Sequence, residues 1–178
     1  FMLNDFVIVG PPEDPAGVRG VSKAHEAMKA IARIRSRFVS RGDNSGTHLL
    51  EKNLWKLAGI EPGGAWYVEA GQGRGATLGI AGEKNAYTLA DRATYLAFQK
   101  RLTLRILLER DRPLLNIYSV MEVNPANGPR VNASGGKAFA DFLVSPEAQK
   151  LIGSFGVQKF GQPLFVPIAG QREDEIGG

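Results

Sequence analysis

The chain has 178 residues, 43% apolar and 22% charged, and its 22 Lys and Arg against 18 Asp and Glu give a net charge of +4. This composition excludes a largely disordered or collagen-like chain, and no apolar run reaches the ~20 residues needed to cross a bilayer. Because there is no cysteine, disulfides, Cys-ligated metal centres and a thiol nucleophile are excluded as well. The mild positive charge favours an anionic partner.

Short apolar strands alternate with amphipathic helices along the sequence. Residues 6–9 form an apolar run stopped by Gly10, and Val21, Ala24, Met28 and Ile31 follow helical spacing. Further strands are predicted at 38–40, 66–69, 87–89, 104–108 and 117–123, and further helices at 47–58, from 71–75 to about 81, 91–100, 136–144 and 146–153, before an end that frays from 171. This order predicts an α/β fold with a mostly parallel sheet, whose ligand site lies at the carboxyl ends of the strands.

The strongest local signal is the string SRGDNSGTH at residues 40–48, where a strand end, a loop of small residues and a helix start follow one another. A helix N-terminus presents unpaired backbone N–H groups and about half a positive charge, which suits an oxyanion. The loop adds close backbone approach at Gly42 and Gly46, hydroxyl donors on Ser45 and Thr47, and the planar guanidinium of Arg41.

The same string also fits a purely structural interpretation, in which a small polar residue caps the helix and Arg41 is a surface side chain. A carboxylate aimed at a bare dianion would repel it, so Asp43 is predicted to orient Arg41 or to cap the helix. Ser40, at the strand end, is predicted to support the loop.

Two later stretches are candidate parts of the same site. The run GQGRG at 71–75 matches neither the P-loop nor the dinucleotide fingerprint. It is therefore either a tight strand-to-helix turn or a second set of backbone donors at Gly73 and Gly75. Farther along the chain, Asp91 is predicted to cap a helix, the Thr88 hydroxyl to face the ligand, and Tyr118 to lie at a hinge.

Catalysis finds little support in the sequence. There are only two histidines and no G-x-S-x-G elbow around Ser45, which argues against Ser-His-Asp hydrolysis. No carboxylate or histidine cluster indicates a cation site, and no aromatic residues interleave with Arg33, Arg35 and Arg37, which favours a solvated face over a nucleic-acid surface. We therefore expect neither enzyme activity nor a cofactor nor a nucleic-acid partner.

Four strings together resemble the tungstate-binding proteins of bacterial ABC importers: SRGDNSGTH at 40–48, WYVEAGQGRGATL at 66–78, YTLADRATYL at 87–96 and FGQPLFVP at 160–167. The spacing Arg-x-x-x-Ser-Gly-Thr from Arg41 to Thr47 is similar to the anion-binding turn of phosphate-type periplasmic binding proteins. The resemblance implies a type II periplasmic-binding-protein fold, whose two lobes close on tungstate or molybdate and which delivers the anion to a membrane permease. Its implied ligand residues are Arg41, Ser45, Gly46, Thr47, Gly73, Gly75 and Thr88, supported by Ser40, Asp43, Asp91 and Tyr118.

The resemblance also implies a division of the chain. Residues 11–116 are expected to form a complete second lobe, and residues 1–10 with 117–178 part of a first lobe, joined by crossing strands at 6–9 and 117–123. The Thr/Ser-rich segment that opens the first lobe in the family has no match here, and no signal-peptide pattern stands at the start. We therefore expect an incomplete first lobe that exposes Phe139, Phe142 and Leu151 and favours a homodimer.

Three positions depart from the family strings. Ala90 and Ala93 stand where threonine and glycine are common, and Ile117 stands where a proline is common. An extracytoplasmic binding protein for tungstate or molybdate is the favoured interpretation. The alternative is a regulatory or enzymatic domain that uses the same anion turn for a phosphorylated metabolite.

Overall fold

Strands and helices alternate in the computed structural model, which describes residues 1–172, 175 and 176. The strands are β1 (Met2–Gly10), β2 (Phe38–Ser40), β3 (Tyr67–Glu69), β4 (Thr88–Asp91), β5 (Arg105–Leu108), β6 (Leu115–Tyr118) and β7 (Val166–Pro167). The helices are α1 (Ala24–Arg33), α2 (Gly46–Leu57), α3 (Arg74–Glu83), α4 (Arg92–Phe98), α5 (Ala133–Val144), α6 (Pro146–Ser154) and α7 (Val157–Phe160). The predicted α/β class is confirmed.

Two compact units divide the chain, a larger unit of Asp5–Leu115 and a smaller unit of Phe1–Asn4 with the residues from Asn116 onward. The sequence suggested a boundary at residue 10, after the first strand, whereas the division falls inside β1. The reason is that residues 6–9 of β1 pair along the whole of β4, which belongs to the larger unit. The interpretation of these units as lobes stays a prediction.

The prediction of a mostly parallel sheet is wrong for β1. Strands β2 and β3 pair in parallel, and Phe38 makes a parallel bridge to Tyr87, directly before β4. Strand β1, by contrast, pairs antiparallel with both β4 and β5. A helical crossover makes neighbouring strands parallel, but no single crossover joins β1 to either of its neighbours. Its direction therefore follows from tertiary packing.

The core of the larger unit lies on both faces of β1. Ile8 belongs to one apolar cluster, which contains Trp55 of α2, and Val7 and Val9 belong to another, which contains Leu78 of α3. Successive strand residues point to opposite faces, so one strand supplies both clusters. Fully burying each such side chain contributes roughly 2 kcal/mol, and this packing fixes the strand ends on which the site is built.

Local capping rules explain some helix starts and not others. Ser45 caps α2, as the structural interpretation of the string at 40–48 allowed, and Ser145 caps α6 with Pro146 in its first turn. Helix α1 begins at Ala24 instead of residue 21, because its N-terminal acceptor comes from a distant residue. The carboxylate of Asp111 accepts the Ala24 N–H at 2.7 Å and the Lys23 ammonium at 3.2 Å, a contact that local spacing does not reveal.

The predicted strand at 117–123 is confirmed only over its first two residues. Strand β6 covers Leu115–Tyr118, and Met121, at 86% exposed, lies in a stretch without strand structure. The residues that follow Tyr118 in the predicted strand have the composition of a strand, but no strand of the described chain pairs with them. Helix α5 starts three residues earlier than predicted, because the side chain of Asn132 accepts the Gly135 N–H at 2.9 Å and caps it.

Exposed apolar side chains mark the helices of the smaller unit. Phe139, Phe142 and Leu151 are 60%, 46% and 62% exposed, which confirms the exposure expected for them. Of the end predicted to fray from residue 171, residues 173, 174, 177 and 178 lie outside the described residues, and Ile176 is buried. No helix in the described part of the chain has both the length and the apolarity that crossing a membrane requires.

Candidate functional site

The loop between β2 and α2 is a tight turn with two residues in the left-handed region. Gly42 has φ 63°, and a Cβ there would lie 3.0 Å from the Cβ of Glu69. Glycine therefore suits both the left-handed backbone and the close approach to Glu69. Asn44 has φ 56°, and its N–H donates to Nδ1 of His48 at 3.0 Å. Asparagine tolerates this backbone region better than most residues. The loop is thereby held against the first turn of α2.

Ser45 and Asp43 satisfy the polar groups at the start of α2. The Ser45 hydroxyl accepts the N–H of His48 at 3.4 Å, and the Ser45 N–H donates to Oδ1 of Asp43 at 3.1 Å. Hydrogen bonding from the Ser45 hydroxyl, with smaller contributions from its N–H and from Arg41, lowers the pKa of Asp43 to about 2. Gly46 and Thr47 lie in the first turn, where backbone N–H groups have no intrahelical acceptor.

Arg41 is the buried cation of this loop. Its side chain is only 9% exposed, and its guanidinium donates to Oδ2 of Asp43 through Nη2 and to the Thr47 hydroxyl through Nη1, at 3.3 Å. The Nε atom is buried without a hydrogen-bond partner. Asp43 accepts the hydrogen bond from Nη2, which fits the first of its two predicted roles, that of orienting Arg41. A surface position for Arg41, the structural alternative, is wrong.

The glycine-rich run at 71–75 forms the start of α3. Gly73 is the N-cap residue and supplies no side-chain hydrogen bond, so the first N–H groups of α3 are not capped by a side chain. A Cβ on Gly75 would lie 2.5 Å from Cζ of Phe98, which makes this glycine a packing requirement as well. The Thr77 hydroxyl donates back to the carbonyl oxygens of Gln72 and Gly73 at 3.2 and 3.1 Å.

Thr88 and Asp91 stand at the two ends of β4. Thr88 is buried, and its hydroxyl donates to the carbonyl oxygen of Val39 at 2.7 Å, so its proton is already used inside the protein. Asp91 caps α4 as predicted, accepting the N–H and the hydroxyl of Thr94 at 2.9 and 2.6 Å. Nε of Arg74 lies 3.6 Å from Oδ2 of Asp91.

A small cleft in the larger unit brings part of this set together. Its cavity volume is about 10 Å³, which is room for about one water molecule as the side chains stand. Two arginines and one aspartate give it charge, two threonines give it hydroxyls, and three apolar residues complete its wall. The lining residues are Arg41, Thr47, Arg74, Thr77, Leu78, Leu89, Ala90 and Asp91.

Several predicted ligand residues do not line this cleft. Ser45, Gly46, Gly73, Gly75 and Thr88 are absent from its wall, and Ser40 lies beneath the loop, where its hydroxyl accepts the Gly42 N–H at 3.3 Å. Tyr118 belongs to the smaller unit, where its ring packs edge-on against Phe165. The ligand roles assigned to these residues stay predictions, except that the Thr88 hydroxyl has no proton left to donate.

Sequence reasoning passed over two polar residues of the cleft. Arg74 is the one charged residue of the GQGRG run, and Thr77 lies one turn into α3. A charged residue between glycines at a helix start was the available signal for Arg74. Ala90 also lines the wall, so the departure from the family string places a methyl group where a hydroxyl is common.

A buried glutamate lies below the loop. Oε1 of Glu51 accepts the Tyr67 hydroxyl at 2.8 Å and the indole N–H of Trp55 at 3.2 Å. Burial raises the pKa of Glu51, and hydrogen bonds from Tyr67, Ser40 and Trp55 oppose that rise. Nowhere in the described chain do three or more His, Cys, Asp or Glu residues gather as a metal site would require.

The fold is α/β, and the cleft places cationic and hydroxyl groups at helix N-termini, an arrangement that suits an anion. A family model described as PBP superfamily domain matches residues 1–147. The chain therefore belongs to the PBP superfamily.

Individual relatives of the chain belong to a narrower class than the superfamily. The chain is 46% identical over 170 residues to the tungstate-binding protein TupA of Peptoclostridium acidaminophilum, across 94% of this chain and 59% of that protein. It is 35% identical over 178 residues to the tungstate-binding protein TupA of Campylobacter jejuni, across 97% of this chain and 65% of that protein. The solved structure of the tungstate binding protein TupA from Desulfovibrio alaskensis matches with a TM-score of 0.84 at 45% identity, across 94% of this chain and 68% of that one. The chain thus spans less than two thirds of either curated relative.

Proposed function

We propose that this chain is the anion-binding part of a solute-binding protein. That protein captures tungstate or molybdate outside the cytoplasm and passes the anion to an ABC permease in the membrane. One observation carries the proposal. Arg41 is buried at the start of α2 with its Nε unpartnered, and an unpaired buried donor costs about 1–3 kcal/mol. An oxyanion in the cleft would supply the missing acceptor and meet the dipole of the helix N-terminus.

The proposal is for binding without catalysis. His48 lies in the first turn of α2 and accepts the Asn44 N–H through Nδ1, so that nitrogen is engaged in the loop. Glu51 is buried and hydrogen bonded to two aromatic side chains. A general base must reach the substrate's proton, and neither group lines the cleft.

The larger unit would serve as the second lobe of such a protein and the smaller unit as part of the first. The anion would lie against the larger unit, with Arg41 and Thr47 as its central contacts. The exposed Phe139, Phe142 and Leu151 of the smaller unit would favour pairing with a second copy of the chain, because burying apolar area drives association.

Tryptophan fluorescence tests the proposal directly. Trp55 is a buried residue of α2, the helix that starts at the loop, and its ring lies edge-on to that of Trp66 at 5.7 Å, so both report on this region. We expect tungstate and molybdate to bind better than sulfate, and phosphate worst, with little change between about pH 6 and 9, because the cleft offers donors for a fully ionised anion. A sugar phosphate that binds more tightly than tungstate would favour the alternative function.

A further inference from the structure

The charge of the cleft depends on a second arginine that the anion turn does not contain. Arg74 is the first residue of α3, and it lines the same small cleft as Arg41 and Thr47. Its side chain is 63% exposed, whereas that of Arg41 is 9% exposed. Arg41 is therefore enclosed by the protein, and Arg74 stands at the mouth of the cleft.

The partners of the two arginines differ as well. Arg41 donates directly to Asp43, so one positive charge at the cleft is already balanced within the loop. Nε of Arg74 lies 3.6 Å from Oδ2 of Asp91, which is longer than a hydrogen bond. Asp91 is satisfied without it, because Thr94 donates both its N–H and its hydroxyl to that carboxylate. Arg74 can leave Asp91 without taking away the hydrogen bonds of that carboxylate.

The N-terminus of α3 adds to the field at this point. Its N-cap is Gly73, which offers no side-chain acceptor, so no side chain caps the N–H groups of the first turn. These N–H groups and Arg74 all lie at the N-terminal, positive end of the helix dipole. An anion that enters between Arg41 and Arg74 meets two guanidinium groups.

We propose that Arg74 selects the charge of the ligand: it turns from Asp91 toward the bound anion and makes the cleft specific for tetrahedral dianions over tetrahedral monoanions. This inference rests on the proposed function and deepens it. Arg41, matched by Asp43, provides the position of the anion, and Arg74 provides the second positive charge. Because a Coulomb energy is proportional to the ligand charge, removing Arg74 weakens a dianion more than a monoanion of the same shape.

The test compares tungstate with perrhenate, a tetrahedral oxyanion that carries one negative charge instead of two. Dissociation constants for both are measured by tryptophan fluorescence and calorimetry on the 178-residue chain and its Arg74→Gln and Arg74→Lys variants. Arg33→Gln is the matched control, since it removes one exposed arginine from the end of α1, away from the cleft.

We expect Arg74→Gln to weaken the affinity for tungstate about tenfold and the affinity for perrhenate about threefold. The free-energy loss for an anion with one charge is half that for an anion with two, and half of a tenfold loss on the logarithmic scale is about threefold. Arg74→Lys should keep most of the preference, and Arg33→Gln should leave both constants within about twofold. Equal losses for the two anions, or no loss for either, would overturn the role of Arg74 while leaving oxyanion binding intact. A wild-type chain that binds neither anion would overturn the proposed function itself, and the selectivity with it.

Discussion

The guanidinium of Arg92 holds the carboxylate of Asp5 through two hydrogen bonds, Nε to Oδ1 at 2.7 Å and Nη2 to Oδ2 at 2.5 Å. Glu109 accepts a third bond from Nη2 at 2.6 Å. These residues come from β1, the start of α4 and the segment after β5, so one arginine joins β1 to the chain that follows β4 and to the chain that follows β5. The hydrogen bonds that Arg92 donates to these two carboxylates raise its pKa above the ordinary value, against the effect of burial.

Replacing Arg92 should therefore destabilise the larger unit. In Arg92→Ala, two carboxylates lose a shared partner that is only 17% exposed, and we expect the free energy of unfolding to fall by about 2 kcal/mol or more. Arg92→Lys keeps the charge but not the two-pronged geometry and should recover only part of the loss. Urea unfolding measures both variants, with the exposed Arg101→Ala as control. Equal stability of Arg92→Ala and wild type would contradict the structural role.

Arg41 should decide anion affinity. We expect Arg41→Ala and Arg41→Lys each to weaken tungstate binding at least about tenfold, because lysine does not reproduce the planar fork of donors. Circular dichroism should be unchanged, since α2 keeps its Ser45 cap. Isothermal titration measures the affinity. Wild-type binding by the alanine variant would rule out this arginine as the anchor of the anion.

Acid should loosen the loop through Asp43. The pKa of Asp43 is lowered from 3.8 to about 2, chiefly by the Ser45 hydroxyl. A lowered folded-state pKa contributes stability that is present above the unfolded value and is lost as the pH falls through the folded one. Between these two values the wild type should lose stability relative to Asp43→Asn, which does not titrate. Unfolding curves that stay parallel across this range would show that the Ser45 contacts do not favour the ionised carboxylate.

The pH dependence at Glu51 should have the opposite sign. Burial raises its pKa above the ordinary 4.5, so the folded state binds this proton more tightly than the unfolded chain. The contribution of Glu51 to stability is then greatest below 4.5 and falls as the pH rises above that value. Glu51→Gln keeps an acceptor for Trp55 and Tyr67 but has no proton to lose, so its stability relative to wild type should grow with pH. A difference that stays constant with pH would contradict a raised pKa.

Thr88→Val separates a structural from a ligand-binding role. The buried Val39 carbonyl would lose its donor at 2.7 Å, and we expect a loss of stability of about 1–2 kcal/mol. Because the hydroxyl proton is already used there, tungstate affinity of the folded variant should stay within about twofold of wild type. Chemical unfolding and calorimetry measure the two quantities. A large loss of affinity with unchanged stability would return Thr88 to the ligand set.

Some of this site could be predicted from local sequence because its causes are local. Ser45 followed by Gly46 and Thr47 predicts a capped helix start, and that start lies within a residue of its predicted place. The proximity of Arg41 to Asp43 follows from their separation of two residues. The bare start of α3 follows likewise from glycine at its N-cap.

Features that depend on residues far apart in sequence were missed or wrong. Arg74 and Asp91 lie close together because α3 and β4 pack together, and no local sequence pattern at either residue predicts this contact. The proton of Thr88 goes to Val39, 49 residues earlier, once β2 and β4 lie side by side. The start of α1 depends on Asp111, 87 residues later.

The sequence by itself determined the α/β class and the loop and capped helix start at 40–48, because those depend on backbone conformations and hydrogen bonds within one or two turns of chain. Only the tertiary structure decided the antiparallel course of β1, the burial of Arg41 with an unpartnered Nε and the arrival of Arg74 at the cleft. Each of these depends on which distant surfaces exclude water from one another, and that is a property of the packed chain as a whole.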